Sequence, residues 1–123
     1  MAVNNIKDIL ARLDSIEGFV GAALADSDTG MCLGFLSGGG NLNLEIAAAA
    51  NAEVVRAKRK AIKTLGLRDE IEDILITLGR QYHLIRLNKA RPAVFFYLAL
   101  DRARSNLALA RYALADAEKD LVL

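Results

Sequence analysis

A chain of 123 residues has room for one domain with a real core, and no linker or composition shift divides 1–123. Its residues are 54% hydrophobic but only 6% aromatic, an aliphatic excess that favours an oligomer, and a net charge of +1 gives no global field for nucleic acid. The single cysteine, Cys32, excludes an intrachain disulfide and any metal centre built from several thiolates.

That cysteine usage fits a reduced, cytoplasmic setting. The stretch Met1 to Asp8 lacks the basic-then-apolar order of a secretory signal. The longest apolar run, Ala93 to Leu100, is far shorter than the roughly 20 residues that span a bilayer, so no membrane insertion is expected.

Ile6, Ile9, Leu10, Leu13 and Ile16 recur at helical spacing and predict a first helix over Ile6 to Glu17. Asn4 or Asn5 can cap its start, and Gly18 can end it. Phe19 to Ala25 reads as a strand. Asp26 to Gly30 is a turn whose Asp and Ser side chains bond their own backbone, and Met31 to Leu36 completes a hairpin. Ser37 to Asn41 is a loop. A long helix follows from Leu44 to Gly66. Ile71 to Leu78, Gln81 to Leu87 and Ala93 to Leu100 are three further strands, with turns at Gly79-Arg80 and Asn88 to Pro92. Leu107, Ala110, Leu114, Ala117 and Leu121 then mark a last helix, which Asp101 or Ser105 can cap.

The order is thus αββαβββα, and the short strand connections imply antiparallel pairing. Phe19 to Ala25 and Ala93 to Leu100 are apolar at nearly every position, so their sheet should be covered on both faces. Three helices can do this if the first and last lie on one face and the second on the other. The fold class is therefore an α/β (α+β) sandwich around a five-stranded antiparallel sheet.

The second helix carries two apolar stripes. Ile46, Ala47, Ala50, Val54, Ala57, Ala61 and Leu65 share one arc of the wheel and are expected in the core. Ala48, Val55 and Ile62 lie on a second line, seven residues apart, which is the spacing of a helix-pairing seam. Asn51 and Lys58 fall between the two. A single wide core face, with the Lys58 stem snorkelling at its edge, is the plainer alternative. The expected dimer interface is Ala48, Asn51, Val55, Lys58 and Ile62, joined by Ile74 and Ile76 on a strand that can sit at a sheet edge. Arg56, Arg59, Lys60 and Lys63 fill a basic arc that water or a protein partner can cover. It has no interleaved aromatic residues for nucleic acid.

Several of these pieces resemble the roadblock (dynein light chain) family, in its bacterial form. They are the Gly18 to Leu24 opening strand, the Asp26 to Gly30 turn, the Ala-rich second helix, and the closing segment Asp101 to Tyr112 with Asn106-Leu107 and Arg111. The resemblance covers nearly the whole chain as a single domain. It implies homodimers or heterodimers formed by second helices and sheet edges. It also implies a role as a platform for small Ras-like GTPases, or alternatively as a structural adaptor that alters no nucleotide cycle. It brings no active-site motif, and Gly38-Gly39-Gly40 is not part of the family pattern.

The residues themselves point away from catalysis. The glycine run is not followed by Gly-Lys-Ser or Gly-Lys-Thr, so it is no phosphate loop. His83 stands among Tyr82, Leu84 and Ile85 without a serine or second carboxylate at a diagnostic spacing. Asp26 and Asp28 alone fall short of a calcium loop. Neither a catalytic residue, a metal nor a cofactor is expected.

Overall fold

The computed structural model describes residues 3–123. The elements are α1 (Ile6–Leu13), β1 (Phe19–Asp26), β2 (Cys32–Ser37), α2 (Leu44–Thr64), β3 (Asp73–Thr77), β4 (Gln81–Leu87), β5 (Val94–Asp101) and α3 (Leu107–Asp120), with one 3-10 turn over Arg102–Arg104. The expected order αββαβββα is the observed one.

The five strands form one antiparallel sheet in the order β2-β1-β5-β4-β3. β5 is the central strand and is buried along its length up to Leu100. Its alternate residues face two separate cores. Val94, Phe96, Leu98 and Leu100 point to the side of α1 and α3, where they meet Leu10, Leu13, Ala110 and Leu114. Phe95, Tyr97 and Ala99 point to the side of α2. This two-faced burial is the physical reason for an unbroken apolar strand.

Some ends differ from the sequence expectation. α1 stops at Leu13, not Glu17, because Ser15 and Ile16 donate to the carbonyls of Arg12 and Leu13 in tight turns. Asn4 Oδ1 accepts from Ile6 N, while the Asn5 side chain instead holds Asp120 O and Val122 N. α3 is capped by Asn106, whose Oδ1 accepts from Leu109 N, not by Asp101 or Ser105. Asp101 caps the 3-10 turn at Ala103 N. One side of α3 is tied to the sheet by charge at two points, two turns apart: Arg111 meets Asp73 of β3 at 3.1 Å, and Arg86 of β4 meets the buried Glu118 at 3.4 Å.

α2 lies close over β1. A Cβ built on Gly21 would come within 2.9 Å of the end of the Leu44 side chain, so the glycine lets that side chain lie close on the strand. Among the described residues, no helix is long and apolar enough to cross a membrane.

Candidate functional site

The faces of α2 are the reverse of the sequence expectation. Ala48 and Val55, expected in the seam, are 0% exposed and pack with Leu44, Ala47 and Ala52 onto the sheet. Ile46 and Leu65, expected in the core, are 66% and 68% exposed, and Val54 is 38% exposed. Of that expected core stripe only Ala47 is buried; Ala50 and Ala57 are exposed and Ala61 half-buried. The reason lies across the interface. The sheet offers Phe95 and Tyr97 on this side, and large rings below demand small residues above. Ala47, Ala48 and Ala52 supply them. The arc with more apolar residues was therefore not the arc that fits.

This removes Ala48 and Val55 from any surface. Of the other expected interface residues, Asn51 and Ile62 are half-buried and Lys58 is exposed. Ile74 and Ile76 are half-buried on the α2 side of β3, an edge strand with no neighbour on its outer side.

The basic arc is also divided. Arg56 Nη1 donates to Ser27 O at 2.5 Å, and Arg59 donates to Ser27 Oγ and Pro92 O. Two of the four cations therefore pin the turn after β1 to α2. Lys60 and Lys63 remain exposed. Lys63 borders an open groove of about 720 Å³ between the end of α2 and the turn after β4. Ile62, Leu67, Ile71 and Leu87 give it an apolar floor, and Arg68, Glu70 and Lys89 a charged rim. Its lining holds no histidine, serine or cysteine.

His83 belongs to a local hydrogen-bond chain. The Tyr97 hydroxyl donates to His83 Nδ1 at 3.1 Å, and Nε2–H faces Gln81 Oε1 at 2.8 Å. Gln81 Oε1 can only accept, which assigns the ring proton to Nε2 and leaves Nδ1 to accept from Tyr97, whose pKa burial pushes up to about 12 so that it keeps its proton. Burial pushes the His83 value down, which keeps the ring neutral. The ring has no nucleophile or carboxylate beside it in this chain of bonds, so it fills a structural place. The Cys32 thiol is half-buried, donates to Gly34 O at 3.4 Å and is pushed up by burial, away from a reactive thiolate. Among the described residues no group of three side chains could hold a metal ion.

Neither a family model nor a curated protein matches the sequence. Solved structures do. Myxococcus xanthus MglB is 19% identical, with 94% of this chain and 92% of that chain covered and a TM-score of 0.78. A Roadblock/LC7 domain from Streptomyces avermitilis is 15% identical over 90% of this chain and 89% of that one, with a TM-score of 0.76. An MglB with tetrameric arrangement is 17% identical over 93% and 82%, with a TM-score of 0.80. The chain has the roadblock fold. The two MglB structures are matched over 92% and 82% of their own chains.

Proposed function

We propose that this chain is a non-catalytic, dimeric regulatory platform for a small Ras-like GTPase in the cytoplasm. One observation carries the reading: a fold shared with MglB along nearly its whole length, with α2 exposing apolar residues and the edge strand β3 open on its outer side. A platform needs surfaces, and the monomer leaves these two unfilled.

The dimer would join β3 to β3 across a two-fold axis, with Ile74 and Ile76 beside the joint. The flank of α2 that faces its own hairpin holds Ala49, beside Gly30, and Arg56, bonded to Ser27. By helical period the opposite flank, with Asn51, Val54, Lys58, Ala61 and Leu65, looks toward β4 and β3. The same axis would bring two such flanks together. The tetrameric arrangement of one MglB supports self-association as a habit of this shape. The outermost residues of α2, Ile46, Glu53, Ala57 and Lys60, would stay free for the GTPase.

Such a platform acts by preferring one nucleotide state of its partner. Light scattering at micromolar concentration tests the dimer. Complex formation and hydrolysis rates, measured with Ras-like GTPases from the same cell loaded with GDP or a non-hydrolysable GTP analogue, test the partner. A dimer that binds neither state and changes no rate would leave the adaptor role in place of the regulatory one.

A further inference from the structure

The β3-facing flank of α2 carries a regular seam. Asn51, Val54, Lys58, Ala61 and Leu65 follow one another at spacings of three, four, three and four residues. That alternation is the pattern by which two helices interlock. Two members of the seam are polar, and a polar residue in such a position lowers affinity unless its partner satisfies it, which fixes register.

Asn51 is half-buried, and its Nδ2 donates to Ala47 O at 2.7 Å. Its Oδ1 therefore faces outward as an acceptor and takes no hydrogen bond among the described residues. Lys58, seven residues on, is exposed and makes no ion pair among the described residues. We infer that Asn51 Oδ1 accepts from the partner's Lys58, and that this reciprocal pair selects antiparallel self-pairing of α2. The inference rests on the dimer proposed above.

Symmetry makes every contact reciprocal, and the spacing of the seam sets the register. In an antiparallel pair about a two-fold axis, the register that lays this seam on itself sets Val54 opposite the partner's Lys58 and Asn51 opposite the partner's Ala61. The small Ala61 leaves room on one side of the amide. The lysine stem lies over Val54, and its ammonium reaches about one further turn to Asn51 Oδ1. Each bond occurs twice, once from each copy. The unlike pair Asn51 and Lys58 is thus self-complementary only when the helices run in opposite directions. In a parallel seam Asn51 would meet Asn51 and Lys58 would meet Lys58, placing like charges together.

Dissociation constants of the full-length chain and its variants, from dilution series followed by sedimentation, test this. Asn51→Asp turns the acceptor into a carboxylate opposite Lys58 and should tighten the dimer about three- to tenfold, an effect that salt weakens. Lys58→Ala should loosen it by a similar factor. In the Lys58→Ala background, Asn51→Asp should no longer tighten the dimer. Both positions lie at the surface side of a capped helix, and circular dichroism confirms that each variant folds. Weakening by Asn51→Asp would overturn the pair, and tightening by Lys58→Ala beside it would mean a parallel seam. A wild-type dimer indifferent to both substitutions would overturn the pair while leaving the dimer. A wild-type monomer at micromolar concentration would overturn both.

Discussion

Val54 and Val55 are adjacent in sequence and opposite in environment, so the same substitution at each separates the two faces of α2. Val55 is fully buried among Ala48, Ala52 and the sheet. Val55→Ala removes about two methylene equivalents at about 0.8 kcal/mol each, and the space left behind brings the cost to about 2 kcal/mol. For a domain of this size that lowers the melting temperature by roughly 8 °C. Val55→Asp places an unpaired carboxylate there and should cost several kcal/mol, a large share of the roughly 5–15 kcal/mol that holds such a domain together. Val54, at 38% exposure, is different. Val54→Asp loses helix propensity and little else within the monomer, under about 1 kcal/mol. It should melt within a few degrees of the wild type and fail to dimerise. Melts followed by circular dichroism at one low protein concentration keep mass action from mixing the two effects. The reasoning fails if Val55→Ala melts like the wild type while Val54→Asp unfolds the chain.

Arg56→Ala and Arg59→Ala should each cost about 1–2 kcal/mol in urea unfolding, because each frees an acceptor at Ser27, whereas Lys63→Ala should fall within about 0.5 kcal/mol. In the glycine run, Gly38→Ala would set a Cβ 2.7 Å from Val20 O and should cost about 1–3 kcal/mol; Gly40 has open space around it, and Gly40→Ala should be close to neutral in the same assay. The folded chain lowers the His83 pKa, so the unfolded chain binds more protons below the ordinary 6.5. Stability from this group is complete above that pH and falls as the pH drops through it. His83→Gln should flatten that part of the curve of urea midpoint against pH. Tyr97 acts at the other end: with its pKa raised from 10.0 to about 12, its contribution is complete below pH 10.0 and declines as the pH climbs toward 12.

The sequence was legible where local chemistry decides. β4 spans Gln81 to Leu87 as expected, and the neighbouring strands shift by one or two residues. The Asp26 turn forms as its residues suggest, with Asp26 Oδ1 accepting from Asp28 N at 2.8 Å and Thr29 N at 3.1 Å. The covering of both sheet faces could be read from the unbroken apolar strands. What could not be read from α2 alone was its orientation, since its two stripes differ in size more than in polarity. The missing information sat some forty residues away, in Phe95 and Tyr97. Alternate large residues on β5 require small ones opposite, and that signal would have placed Ala48 and Ala52 inside and Ile46 outside. The basic arc misled for a similar reason. Arg56 and Arg59 look like free surface charges until the turn at Ser27 folds back beneath them.

The central position of β5 also governs how the chain can be built. Phe19 of β1 pairs with Leu100 of β5, a partner far along the chain, while β1–β2 and β3–β4 are local hairpins. Until β5 enters, the two hairpins have no strand in common and neither face has its central row of side chains. Pairing across such a separation is slow, because the loop must close before the contacts repay it. During synthesis about the first three-quarters of the chain must wait with β1 and β4 open along one side. A nascent chain in that state exposes the same edges that mature copies would bury, so premature pairing between neighbouring nascent chains is the expected route to misassembly.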